Sequence, residues 1–335
     1  LRENRSWPHI TTEMLTASGK MMNAESDKNG QASFLVTGKG ADAVTEITAE
    51  TSRIFLGIQI QCAQCHDHPS DVWKRHHFHE LAAYFARYRE RPIREEMRFI
   101  GSEIVSVPIE HRMPDKDSPK TGTVMNPKFL DGKQPVGAKP VPSKSGPIGK
   151  FGPKGFPGKF NPFGEKGMSD EARRKGLAQQ ITSKDNPWFA AAFVNRVWGE
   201  FMGQSFYAPI DDLGPQKDAM MPTVIARVAG SFRGNDYDIK QLMRDILNSD
   251  AYQRQIRPGE SGEEHLLFAA HNPVRLNSDA LWHSLNGAIG PMGGPGGFFP
   301  KKGPGGFPGK GFGFGLEGQF KQAFGYDPST KAEEI

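Results

Sequence analysis

Two stretches of this chain lack the side chains for a packed core, and they decide how the rest can fold. From Lys133 to Gly167, and again from Gly290 to Gly315, the sequence collapses to Gly, Pro, Lys and Phe. Few branched apolar residues are there to bury, and Gly and Pro interrupt regular backbone structure. Gly152-Pro153-Lys154-Gly155-Phe156-Pro157-Gly158-Lys159 recurs as Gly303-Pro304-Gly305-Gly306-Phe307-Pro308-Gly309-Lys310 with one change. A collagen-like helix is excluded, because glycine keeps no strict period of three. Both stretches read as flexible or extended linkers. A sharper alternative has their Phe and Lys side chains contacting a partner or a polysaccharide. The chain therefore divides into a first domain at 1–132, a linker at 133–167, a helical domain at 168–289, a low-complexity stretch at 290–315 and a C-terminal segment at 316–335.

A length of 335 residues supports two domains with self-sustaining cores. Only 36% of residues are hydrophobic, largely because the chain holds 39 glycines and 26 prolines. The net charge of +4 is a mild excess that lies partly in the low-complexity stretches, so no nucleic-acid partner is expected. No run of about 18 apolar residues exists to span a membrane.

Periodicity predicts a mainly α protein with a little β. A short amphipathic helix is expected over Trp7–Ala17, capped by Thr11 or Thr12. A helix from Ala43 places Val44, Ile47, Ile54, Phe55 and Ile58 on one face. A second helix is expected from about Val72 to Arg89, a strand over Ile100–Ile109, and a turn at Thr121-Gly122-Thr123. After the first linker, caps are expected at Ser169, at Asn186 before Pro187, at Asp238, and at Asn277 or Ser278, with a further start at Pro222. This block reads as an all-α domain close to a bundle.

Between the first two long helices lies Cys62-Ala63-Gln64-Cys65-His66, which holds the only two cysteines. C-x-x-C-H is the attachment signature of a c-type haem. Two thiols at this spacing reach both vinyl groups of one porphyrin, and the following imidazole lies under the iron as proximal ligand. Three alternatives compete. A thioredoxin-like dithiol wants a preceding strand, and a helix is expected there instead. A zinc site needs four ligands, which Cys62, Cys65 and two of His66, His68, His76, His77 and His79 would supply. A disulfide across two intervening residues is strained and closes a tiny loop. Haem c is the preferred cofactor, with zinc as the alternative. Because haem is attached to this motif outside the cytoplasmic membrane, the expected location is periplasmic, cell-surface or secreted. The chain begins Leu1-Arg2-Glu3, so an export signal is expected upstream of residue 1.

Several segments together resemble a known domain pair. The run Phe55-Leu56-Gly57-Ile58-Gln59-Ile60-Gln61-Cys62-Ala63-Gln64-Cys65-His66-Asp67-His68-Pro69, followed by Trp73 and Leu81-Ala82-Ala83-Tyr84-Phe85, resembles the planctomycete secreted cytochrome-like family. Its usual companion domain is similar to Asn186-Pro187-Trp188-Phe189-Ala190, Val194-Asn195-Arg196-Val197-Trp198 and Pro209-Ile210-Asp211-Asp212-Leu213-Gly214-Pro215. Tyr237–Leu242 and Ile246–Arg254 extend that likeness. Both are domains of unknown function, 1549-type followed by 1553-type. The resemblance implies a secreted or cell-surface protein of cytochrome-like character and supplies no substrate. Ser70 stands where the family usually has an aromatic residue, which would open the space beside a haem. Family members are longer in both halves, so the chain reads as a piece of a longer protein.

Around the motif, Asp67 and His68 are expected to orient the proximal ligand or contact a propionate. His76 and His77 are expected to be solvated or to contact propionates. Candidates for the sixth ligand are His111, Met113 and Met125. Asn195, Arg196, Asp211 and Asp212 form a second polar cluster, read first as an ion-pair network and otherwise as acid–base machinery or a cation site. The first functional expectation is single-electron transfer to an unidentified redox partner, with the helical domain as docking platform. The alternatives are an enzyme acting on extracellular polysaccharide, through an open haem or through Asp211 and Asp212, and a non-redox interaction module with zinc at Cys62 and Cys65 that binds envelope proteins.

Overall fold

Helix starts in this protein follow local chemistry. The computed structural model describes residues 3–22, 29–36, 42–118, 120–147, 167–255 and 278–290, with 268, 276, 317, 320, 323 and 324. Helix α1 (Trp7–Thr16) begins at Ser6 with a proline in its first turn. Neither expected threonine caps it. Thr11 is fully buried inside the helix, and Thr12 donates back to the Pro8 carbonyl at 2.8 Å. Strand β1 (Gly19–Met22) and the single turn α2 (Ser33–Val36) follow.

Helix α3 (Ala43–Thr51) widens into a π-helical turn, Ser52–Leu56, which ends at Gly57 with φ +64°. That left-handed conformation favours a residue without Cβ. A 3-10 turn, Ile60–Gln64, carries the motif, and α4 (Arg75–Ala82) resumes the helix. The helix expected to reach Arg89 stops early. After a 3-10 turn at Ala83–Phe85 the chain enters β2 (Tyr88–Glu95), which pairs antiparallel with β3 (Arg98–Ser106). The hairpin turn places Glu96 and Met97 at φ +46° and +64°. Such turns usually carry Asn-Gly or Asp-Gly, so the sequence bears no hairpin signal. The first sheet has the order β1-β3-β2.

A second sheet joins β4 (Arg112–Pro114), β5 (Thr121–Val124) and β6 (Ser145–Pro147) in that order. Thr121-Gly122-Thr123, expected as a turn, lies within β5. The protein is therefore mixed α and β rather than mainly α.

The later helices are α5 (Asp170–Ile181), α6 (Pro187–Met202), α7 (Pro222–Gly234), α8 (Ile239–Leu247) and α9 (Ser278–Ile289). Ser169 Oγ accepts from the Ala172 N–H at 3.2 Å, and Asn186 Oδ1 accepts from Trp188 and Phe189. Asp238 caps α8 through the Gln241 N–H at 2.8 Å. Asn277, the other expected cap of α9, lies outside the described residues.

These helices do not close on themselves as a bundle. Helix α5 packs across α1 and the 3-10 turn at Ala83–Phe85, and α6 lies on the π-helical turn. Trp7 sits 4.5 Å from Phe193 and 6.2 Å from Phe189, ring to ring. One continuous core therefore contains Leu15, Phe55, Phe78 and Tyr84 from before the Gly/Pro stretch and Leu177, Phe189, Phe206 and Phe232 from after it.

Buried charge runs along the same seam. Arg87 and Arg173 donate to the two oxygens of Glu110 at 2.7 and 2.5 Å, and Arg173 also donates to the Ala83 carbonyl at 2.9 Å. The start of the Gly/Pro stretch is docked on the body. Val141 is buried, and its backbone exchanges two hydrogen bonds with the Asn126 side chain at 2.8 and 2.9 Å. Residues 148–166 and 291–316, where the rest of the linker readings fall, lie outside the described residues.

Candidate functional site

Side chains three apart on a 3-10 turn eclipse one another. That spacing sorts the residues of Ile60–Gln64 and its cap. Ile60 and Ala63 point into the core, while Cys62 and Cys65 are exposed free thiols. Buried Ile58 and Ile60 anchor the entry to the turn. His66 follows directly and is exposed. Its Nδ1 lies 2.7 Å from the Asp67 carbonyl oxygen. A carbonyl only accepts, so Nδ1 carries the hydrogen, and in the neutral ring the lone pair lies on Nε2.

The segment after the motif is closed by its own polar groups. Asp67 accepts from the Arg75 N–H at 3.1 Å and pairs with Lys74 at 3.3 Å, and these contacts hold its carboxyl below the usual range. His68 Nδ1 accepts from the Ser70 N–H at 3.2 Å, and the His68 N–H donates to the Trp73 carbonyl at 2.8 Å. Asp67 thus holds the start of α4 through its carboxylate and the His66 ring through its backbone carbonyl, while His68 holds a local turn. His77 accepts from the Lys74 N–H at 3.0 Å at the start of α4, while its neighbour His76 is exposed.

Behind the motif lies a pair that the sequence did not announce. The Gln64 carbonyl, between the two cysteines, accepts from His79 Nε2 at 3.0 Å and from Arg75 Nε at 3.3 Å. His79 Nδ1 then lies 2.8 Å from His111 Nε2. Since His79 donates through Nε2, its Nδ1 accepts the His111 hydrogen, and both rings are neutral. Burial, with Arg75 nearby, pushes His79 down to about 4. Burial, His79 itself, Arg89 and Arg173 push His111 down to about 3. Arg75 also donates to the Pro114 carbonyl at 2.6 Å, which ties β4 to the motif turn. The only sequence hint of this arrangement is that Arg75 and His79 stand four apart on one helix face.

The three sixth-ligand candidates lie on or beside β4 and β5. His111 is committed to His79. Met113 sits in β4 opposite Thr123. Met125 is buried, and its N–H donates to the His111 carbonyl at 2.9 Å.

The second polar cluster is brought together in part. Asn195 is fully buried; it donates to the Ile210 carbonyl at 2.9 Å and accepts from the Phe206 and Tyr207 N–H groups at 2.8 and 3.0 Å. Asp211, 1% exposed, lies between Arg196 and Arg53, the latter at 3.0 Å. Burial pushes the Asp211 carboxyl up, against the pull of both arginines. Asp212 stands apart and pairs with Lys217 at 3.0 Å. This is an ion-pair network across the seam of the fold. Sequence reasoning missed Arg53, which contributes from 158 positions away.

Among the described residues, no group of three or more His, Cys, Asp or Glu side chains is placed to hold a metal ion by itself. Among them too, no helix is long and apolar enough to cross a membrane.

Residues 1–90 match the family model PSCyt2, described as a protein of unknown function (DUF1549). Residues 173–302 match the family model PSD1, described as a protein of unknown function (DUF1553). No curated protein and no solved structure matches the chain. The motif thus falls in the first matched segment, Asn195, Arg196, Asp211 and Asp212 fall in the second, and His111, Met113 and Met125 fall between them. The chain is thus similar to DUF1549 in its first segment and to DUF1553 in its second, in that order.

Proposed function

We propose that this chain is an extracytoplasmic c-type haem protein that passes single electrons, with the group attached at Cys62 and Cys65 and held by His66. One observation carries the reading: both thiols and the imidazole are exposed together at one short turn. The donor set fits a haem c. Cys62 and Cys65 would form the two thioether bonds, and His66 Nε2 would ligate the iron because Nδ1 already donates to Asp67. A bound haem would supply a one-electron couple. The chain's own part is to hold the turn: Arg75 and His79 fix the Gln64 carbonyl, and Lys74 and Arg75 fix Asp67.

The zinc reading is less favoured because the neighbouring histidines are turned elsewhere, His77 to the start of α4 and His79 to Gln64 and His111. The carboxylate reading is less favoured because Asp211 and Asp212 are both held by cations. With His111 committed to His79, the sixth position falls to a methionine, to a partner or to solvent.

Production in a host that matures c-type haem, followed by a pyridine haemochrome spectrum, tests the reading. A spectrum of thioether-bonded haem that is lost in a Cys62→Ala, Cys65→Ala variant supports it. Iron-free protein containing stoichiometric zinc overturns it. Addition of carbon monoxide then reports the sixth position: a shifted spectrum means an open site, and an unchanged one means a protein ligand.

A further inference from the structure

We infer that the turn from Asp211 to Lys217 clamps the motif loop at both ends, so that Leu213, Gly214 and Lys217 are positioning residues for Cys62, Cys65 and His66. The inference rests on contact geometry and holds whatever group the thiols carry.

The loop runs from Gly57, five positions before Cys62, to Asp71, five after His66. At its upstream end the Leu213 N–H donates to the Gly57 carbonyl at 2.7 Å. The Leu213 side chain also fills the space beside Gly57: a Cβ there would stand 2.8 Å from a Leu213 methyl and 3.2 Å from Ala192 Cβ. Gly57 is thus required both for its positive φ and for this close approach. At the downstream end Gly214 lies against the Asp71 carboxylate, and a Cβ on Gly214 would overlap it. Beside that contact, Lys217 Nζ donates to Ser70 Oγ at 3.2 Å while pairing with Asp212. Ser70 therefore has an identified partner across the seam.

The clamp has a rigid base. Asn195 holds the approach to the turn through Ile210, Phe206 and Tyr207, and Asp211 is locked between Arg196 and Arg53. Within the turn, Asp212 N–H donates to the Pro209 carbonyl at 3.1 Å and Lys217 N–H to the Gly214 carbonyl at 3.0 Å. Trp73, just past the loop, meets Trp188 of α6 edge to face at 5.9 Å. Packed elements of this kind shift together rather than deform piecemeal. The second matched segment thereby sets the geometry of the motif in the first.

Amide hydrogen exchange on the full chain, purified without haem and with its cysteines reduced, tests this. Gly214→Ala is the informative variant, because the colliding atoms belong to Asp71 alone. Exchange across residues 58–73 should quicken about tenfold, as expected for one overpacked contact, while β3 keeps its protection. Adding Asp71→Ala should return residues 58–73 to the rates of Asp71→Ala alone. Unchanged exchange in Gly214→Ala, equal loosening of β3, or additive effects in the double variant overturns the clamp. If Gly214→Ala does not fold, Lys217→Met reads the same loop: exchange about threefold faster, restored by Lys217→Arg, is expected, and rates equal to the parent protein overturn it. No arm uses haem, so failure of the clamp and failure of the haem reading remain distinct.

Discussion

His79 shows what a single residue does for the motif. Its imidazole joins the Gln64 carbonyl to His111, and both rings are held neutral by burial. A histidine in the unfolded chain titrates near 6.5. In the fold the two values lie at about 4 and about 3. Unfolded chains therefore take up protons first as pH falls. The stabilisation is complete above about pH 6.5, declines as pH falls toward 4 and then 3, and levels off below. Each ring contributes at most about 1.4 kcal/mol per pH unit in that window. Urea unfolding at stepped pH should show this slope, and His79→Phe should reduce it; an unaltered slope contradicts the pairing. Asn195 gives a second test at this scale. Asn195→Ala strands the Phe206 and Tyr207 N–H groups and the Ile210 carbonyl, and should cost about 3 kcal/mol in the same assay. Cys62, Cys65 and His66 were legible in the sequence because their pattern is five residues long and local. The His79–His111 pair was not, because it joins positions 32 apart on separate elements.

Among the elements, legibility follows capping chemistry. Ser169, Asn186-Pro187, Asp238 and Gly203 each mark a helix end with a side chain or conformation suited to it, and the structure ends helices there. The β2–β3 hairpin was hidden for a physical reason. Phe78, Leu81, Ala82 and Phe85 continue a helical apolar pattern up to the strand, and the turn at Glu96-Met97 takes positive φ without glycine or asparagine. Strand β5 was hidden because Thr121-Gly122-Thr123 reads as a turn when its partners, Arg112–Pro114 and Ser145–Pro147, are unknown. The ion pairs of Glu110 join these elements to α5. Both partners and Glu110 itself are buried, so removing the carboxylate charge takes away the acceptor that the two arginines share. Glu110→Gln should destabilise the protein by about 3–5 kcal/mol, measured by urea denaturation. A change below about 1 kcal/mol would mean that the arginines find other acceptors.

At the scale of the whole molecule, two matched segments share one interior. Trp7, Phe55, Phe189 and Phe193 meet across the seam, and Arg174 of α5 donates to the Leu15 and Ala17 carbonyls at 2.8 and 2.7 Å. Composition drew attention to the Gly/Pro stretch, but contacts between distant segments are invisible to it. A protease site placed within 148–166 should therefore yield fragments that stay together on gel filtration and unfold in one transition. Fragments that separate without denaturant would contradict the shared core. The central claim, a covalently held haem on an exposed turn, is tested most directly by the intact mass of the chain from a haem-maturing host. A mass equal to the polypeptide plus one haem, returning to the bare polypeptide in the Cys62→Ala, Cys65→Ala variant, is predicted. An unmodified chain carrying both cysteines as free thiols would contradict it.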